Sequence, residues 1–433
     1  MSAASIAAVR RRPIRIARPI GLASALTVLC LVALFFVSST LLTAAGIPYG
    51  SAGGSGLSKF HPATYLALAA LGVWAIAIGP GRLLAALAAQ RPGTLIFALA
   101  ILLLTFQTAF VQRMPISAVV DTFVLPLALF VSISALRAPV TERVLIGMHL
   151  FFVLNSTIGY LEYLTPFRLT PTYEHGEVVT YDWRATALLG HPLINALATG
   201  TYLLILTGPG GRRFDMPIRA FLLLYSLGAM VAFGGRAATI VLLGLLAMRG
   251  ALQVMRVLAG RPFRLRDAML GVLVLTGVAV IGSLLVQAGA LDSFVSRFED
   301  DSGSAATRVA MFSIFDGMSL RDVFFAPDLA HVASNQRRLD LAIGIESFVV
   351  AFFAYYGIAT TVLFFLGLAI FCAEIVRAAG PAALLPLGYY FLVSSTSTGI
   401  ANKTIDFALI MAMIMILLDR RFIPAETHRP AAC

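Results

Sequence analysis

Three arginines and one glutamate stand out as groups whose type and placement could do chemistry: Arg184, Arg236, Arg308 and Glu346. Arg184 follows Trp183 and precedes Gly190-His191-Pro192, Arg236 follows Gly234-Gly235, Arg308 closes the run from Gly303 to Thr307, and Glu346 stands between Ile345 and Ser347. A guanidinium is a planar fork of donors that grips phosphate oxygens in pairs without a metal. Three forks on one face would suit a pyrophosphate, and a carboxylate beside them could act as a general base. Each residue also has a plainer reading. Arginines at a membrane boundary snorkel or pair, a loop arginine is solvated, and a carboxylate at the start of a helix is favoured by the helix dipole. Arg236 departs from the plain reading, because its flanking glycines leave little side chain to pack and allow another group to approach closely. His191 and His331 are isolated and are secondary candidates. Glu299, Asp300 and Asp301 could chelate a divalent ion, but three adjacent acids without further ligands read more simply as a solvated turn.

No metal site and no cofactor is expected. Cys30 and Cys372 lie inside apolar runs and Cys433 is the last residue, none at metal-ligand spacing from another cysteine or a histidine. The charge of +11 does not point to nucleic acid, since it comes from scattered arginines with no basic domain or stacking motif.

What must position these groups is a membrane bundle. The chain is 59% hydrophobic and 12% charged, where a soluble domain carries about 25% charged residues. The basic stretch Arg10 to Arg18 ahead of the apolar run 21–45 resembles a signal peptide in outline, but that run is too long for one and fits a first spanning helix. Segments of roughly 20 apolar residues bounded by charge, Pro and Gly predict an all-α, polytopic protein of about twelve transmembrane helices. They are expected near 21–45, 62–79, 93–111, 116–136, 143–161, 191–207, 218–234, 237–255, 268–290, 346–373, 381–397 and 401–418. The fourth, which holds Asp121, and the eighth are the weakest.

The positive-inside rule supports this division. With a cytoplasmic N-terminus, the inner segments hold 21 basic and 6 acidic residues, and the outer ones 11 and 15. Both termini are then cytoplasmic, residues 1–20 as a basic N-terminus and 419–433 as a tail. Helices one to nine occupy 21–290 and helices ten to twelve 346–418. Two outer loops are long, 162–190 and 291–345, and long loops are where function concentrates. The second contains an amphipathic run, Val309 to Phe315, expected to form a short helix along the membrane.

Across residues 150 to 360 the chain resembles the O-antigen polymerase and ligase superfamily, of GT-C type. The resemblance rests on Arg184-x5-Gly-His-Pro, Gly-Gly-Arg236-Ala, Gly-Ser-x2-Thr-Arg308, and Glu346-Ser with Tyr356-Gly357-Ile358 in the tenth helix. Ligases of that group usually have a His followed by Asn or Ser about eleven residues before the glycine of the helix-ten motif, and here Glu346 stands there. The likeness is therefore to the exopolysaccharide polymerase branch. It implies a metal-independent, inverting glycosyltransferase of the bacterial inner membrane that joins undecaprenyl-pyrophosphate-linked oligosaccharide repeats at the periplasmic face. Arg184, Arg236 and Arg308 would bind pyrophosphate and Glu346 would be catalytic. Implied partners are lipid-linked donor and acceptor, the bilayer and a chain-length regulator. An O-antigen ligase-type transferase is the nearest alternative. A twelve-helix transporter is the rival from another class, against which the short sixth-to-seventh loop counts.

Overall fold

The structure, a computed structural model, describes residues 21–423 except 51–52, 172, 175–176, 179–182, 261–264, 288, 290–291, 293–308, 326 and 342–343. It is helical apart from one minimal hairpin, in which Tyr173–Glu174 pairs antiparallel with Glu177–Val178. The principal helices in chain order are α1 (Gly21–Phe36), α2 (Pro62–Ile78), α3 (Pro80–Gln90), α4 (Pro92–Val111), α5 (Ser117–Ser134), α6 (Ala138–Leu164) and α7 (Pro192–Thr207). They continue as α8 (Met216–Phe233), α9 (Arg236–Leu258), α10 (Leu265–Gln287), α11 (Leu329–Arg338), α12 (Phe348–Ala379), α13 (Leu384–Ser394) and α14 (Asp406–Leu417).

Among the described residues six helices are long and apolar enough to cross a membrane, or seven with the bent pair α2 and α3 taken as one span. The remaining apolar helices are shorter than a bilayer requires when taken alone. Large apolar side chains cover the outside, among them Ile76, Leu99, Leu102, Leu275 and Leu366, as lipid demands and water does not. At the centre stands α14, buried from Phe407 to Leu417; a helix apolar on every side belongs in a core of this kind. α5 and α7 pack on it, α1 lies along α2, and α4 lies along α12.

Several expected spans are broken, each for a local reason. The first is interrupted at Val37 and Ser38, after which Ser38 caps a short helix by accepting the Leu41 N–H. The expected loop between the second and third spans is α3, turned 103° from α2 at Gly79, whose φ is 91°. Leu83 and Leu87 fasten one face of α3 to Val131.

The expected span 346–373 is corrected most. Glu346 does not open a helix: Ser347 is the cap residue and α12 starts at Phe348. Nine residues later Gly357 has φ 75° and ψ 163°, outside helical values. Phe352 and Phe364 stack with ring centroids 5.4 Å apart, whereas twelve residues of straight helix would separate them by about 18 Å. Residues 348–356 and 358–379 are therefore two helices meeting at a sharp bend. No side chain could occupy the bend, since a Cβ on Gly357 would lie 2.9 Å from the Phe324 carbonyl oxygen.

The first of those helices packs into the segment that precedes it, between α10 and α12. Val350, Ala351 and Ala354 share a small core with Met311, Ile314, Val332, Leu341 and Ile345. The amphipathic run forms as a 3-10 turn, Met311–Phe315, with Met311 and Ile314 buried while Val309 and Phe312 remain exposed. The C-terminal end of α4 holds this unit, as Gln112 donates to the Tyr355 carbonyl at 3.0 Å and Gln107 to that of Phe325 at 3.3 Å.

Candidate functional site

The stretch from Trp183 to His191 is fixed from below by buried polar side chains that its own residue types do not announce. Glu162, fully buried near the end of α6, accepts four hydrogen bonds from the chain that follows it. The Thr186 and Ala187 N–H groups reach its Oε2 at 2.7 and 3.0 Å, the Thr186 hydroxyl at 3.2 Å, and the Leu169 N–H reaches Oε1 at 2.8 Å. A buried carboxylate is tolerated only when so satisfied. One turn and more below, Asn155 accepts the Leu188 N–H at 3.0 Å and donates to Asn195 at 2.9 Å, while Asn195 donates to the His191 carbonyl at 3.0 Å. Arg168 adds a clamp, donating to the Glu162 carbonyl and to that of Trp183.

This platform sets Arg184 against the turn that presents Arg236. The Ala185 N–H donates to the Ala232 carbonyl at 2.9 Å, hooking the loop to the end of α8. α8 then stops in a left-handed residue, Gly234 with φ 60°, and α9 begins two residues on at Arg236. A Cβ on Gly234 would lie 2.8 Å from Arg184 Cγ and 2.8 Å from the Trp183 ring, and one on Gly235 2.5 Å from Ala196 Cβ. Both glycines are thus required for close approach, the first for its backbone as well. Arg184 and Arg236 are each half-buried, at the ends of elements that meet.

Glu346 lies on a neighbouring rim. Gly344, φ 113°, rests on Thr398 beyond the end of α13, and Phe348 meets Phe391 of α13 at 6.5 Å. α13 in turn is tied to the start of α9, for the Tyr389 hydroxyl donates to the Ala238 carbonyl at 3.2 Å, two residues past Arg236. Arg184, Arg236 and Glu346 therefore share one end of the bundle. Arg308, with Glu299, Asp300 and Asp301, lies outside the described residues.

The two histidines have structural work. His191 caps α7 by accepting the Leu193 N–H on Nδ1 at 3.2 Å, with Pro192 next. His331 contacts the Asp316 carbonyl at 2.8 Å inside the loop unit, whose turn Asn335 and Arg338 also hold. Among the described residues no three His, Cys, Asp or Glu side chains are grouped to hold a metal ion.

A second polar centre, beside the first, is built round Asp121. This carboxylate is fully buried in a π-helical turn of α5, Val120–Val124, a distortion that often marks a functional or strained place. It accepts the Tyr49 hydroxyl at 2.8 Å, the Thr64 hydroxyl at 2.7 Å and the His61 N–H at 3.2 Å, with Lys403 Nζ at 3.7 Å. Lys403 also sits 3.4 Å above the Tyr49 ring and donates to the Tyr49 and Lys59 carbonyls. His61 caps α2 as His191 caps α7, its Nδ1 accepting the Ala63 N–H and its Nε2 donating to the Val37 carbonyl at 2.7 Å. Burial pushes the Lys403 ammonium down to about 8 despite the pull of Asp121, and lowers His61 below its ordinary value. Burial first, then the Asp121 charge, raises the Tyr49 phenol. A cavity of about 80 Å3 separates this centre from Leu189 and Ile194 of the arginine platform.

Comparison with protein-family models and with characterised proteins returned no match.

Proposed function

We propose that the protein is a polysaccharide polymerase of the bacterial inner membrane, joining undecaprenyl-pyrophosphate-linked oligosaccharide repeats at the periplasmic face. The observation that carries this reading is the packing of the Arg184 stem across Gly234, which joins two distant arginines at one rim with a carboxylate, Glu346, on the same end of the bundle. Such a rim suits chemistry in which a diphosphate leaves. A hydroxyl oxygen of one repeat attacks the anomeric carbon of another chain, the bond from that carbon to the pyrophosphate oxygen breaks, and the proton passes to Glu346. The stereochemistry inverts. The arginines, joined by Arg308, neutralise the departing charge without requiring a metal, and the lipid tail reaches the rim sideways from the bilayer. The same reading includes twelve spans with both termini cytoplasmic, in accord with the distribution of basic residues.

The test uses a strain lacking the native protein, with variants at matched membrane levels. Glu346→Gln keeps size and removes the base, so polymer formation should fall about 10² to 10⁴-fold while single lipid-linked repeats accumulate. Polymer made at the wild-type rate would remove Glu346 from the mechanism.

A further inference from the structure

At the opposite end of the bundle, between α6 and α8, an open cavity of about 450 Å3 has walls that include Leu150, Val153, Ile218 and Leu222. Leu145, Ile146, Phe214 and Phe422 complete the apolar lining, and two of the polar groups among them, Arg213 and His149, are underused. Arg213 spends Nε on the Gly210 carbonyl and one terminal nitrogen on that of Leu417, yet Nη1 is buried with no hydrogen-bond partner. His149, only 7% exposed, bonds the Tyr202 hydroxyl through Nδ1 and leaves Nε2 buried without a partner. The cavity wall therefore holds two nitrogens without partners, of which Arg213 Nη1 is a donor in every state. Buried polar groups left this way are costly. Something rich in acceptor oxygens, with an apolar extension, would satisfy both them and the groove.

We infer that this groove is a binding site for an anionic phospholipid, its head-group oxygens toward Arg213 and His149 and an acyl chain along Leu150, Val153, Ile218 and Leu222. Lipid is the occupant because the groove opens on the apolar exterior, where Leu150 and Ile218 are 65% and 51% exposed. The head group is anionic because this end of the bundle carries Arg212, Arg213, Arg420 and Arg421, and clustered arginines beside a membrane surface recruit negative lipid. Glu142, at the rim, is the one acid among the lining residues and favours a head group that stays on the Arg213 side. The inference rests on the membrane bundle and not on glycosyl transfer, so either can fail alone.

The experiment is native mass spectrometry of the delipidated full chain with added dioleoyl phosphatidylglycerol or dioleoyl phosphatidylcholine. Wild type should retain one phosphatidylglycerol about tenfold or more in preference to phosphatidylcholine, the expected worth of a charge-assisted hydrogen bond. Arg213→Gln should lose that preference. Ile218→Trp, which fills the groove from its exposed side, should reduce retention comparably, whereas Leu99→Trp on another lipid-facing helix should not. Should Arg213→Gln fail to fold for want of its carbonyl contacts, the lipid preference and Ile218→Trp decide. Equal retention of both lipids by wild type, unchanged retention by Ile218→Trp, or displacement by millimolar inorganic phosphate would each overturn the proposal.

Discussion

Glu162 and Asp121 are both fully buried carboxylates at the same end of the bundle, but they are satisfied in different ways and do different things. The donors to Glu162 are three backbone N–H groups and one hydroxyl, all from the 25 residues that follow it. Asp121 draws on side chains and backbone from Tyr49, His61, Thr64 and Lys403, which come from far before and far after it. The first arrangement shapes a loop; the second fastens distant helices and brings in a cation. A carboxylate held by backbone donors dictates where its neighbours lie, and so Glu162 is the residue that fixes the stretch carrying Arg184.

That contrast can be broken most severely at Glu162. Glu162→Ala strands three N–H groups in a dry place, each worth about 1 to 3 kcal/mol. The stretch 165–190 should become sensitive to protease in right-side-out vesicles, with polymer formation lost, while α14 and its neighbours stay protected. A protease pattern identical to wild type would show that the loop is held by something other than Glu162. Lys403→Met should do less. Asp121 keeps its other donors, so the loss is expected at about 1 to 2 kcal/mol, within the range for a partly exposed pair stripped of its cation. Thermal unfolding in detergent measures it, and a larger loss than for Glu162→Ala would reverse the ranking of the two centres.

The sign of the pH dependence sharpens the difference further. Because the folded-state value of Lys403 is lowered to about 8 from 10.5, the native state disfavours its proton. Wild type should therefore gain stability relative to Lys403→Met as pH rises from about 8 toward 10, where Tyr49, held protonated in the fold, begins to act in the opposite sense. His61 is lowered too. Below about pH 6.5 the unfolded chain takes a proton that the native ring, donating at Nε2 and accepting at Nδ1, resists, so stability falls on acidification. His61→Asn, which keeps a capping oxygen, should flatten that acid limb; this is the smallest effect expected, and an acid limb of unchanged slope would exclude His61 as its source.

The membrane-type apolar helices and the close approach at Gly234 and Gly235 were accessible from residue patterns, because hydropathy reports the solvent and paired glycines report close approach. The breaks in the spans were not. Gly79 and Gly357 look like ordinary membrane glycines until a neighbouring backbone is placed against them, and only tertiary contact makes them bends. Glu162, Asn155 and Asn195 were missed for a related reason. Each is a single polar residue in or beside an apolar run, and what gives it a role is the loop that folds back over it. Asp121 carried a usable signal, an acid inside a spanning segment, which is functional by default. His191 and His331 drew attention as titratable groups, yet both spend ring nitrogens on the backbone. The repeated His-Pro pair, at 61–62 and 191–192, was the clue to a helix-capping device.

The central claim is that Arg184 and Arg236 act as one unit across Gly234, and a double-mutant cycle tests it most directly. Arg184→Lys, Arg236→Lys and the double variant keep the charge and lose the fork; each is measured for polymer formation at matched membrane levels. Two residues gripping one leaving group should couple, so the double variant should be little worse than the worse single one, with an interaction energy of about 1 to 3 kcal/mol. Losses that simply add, or single variants that polymerise at the wild-type rate, would contradict the account.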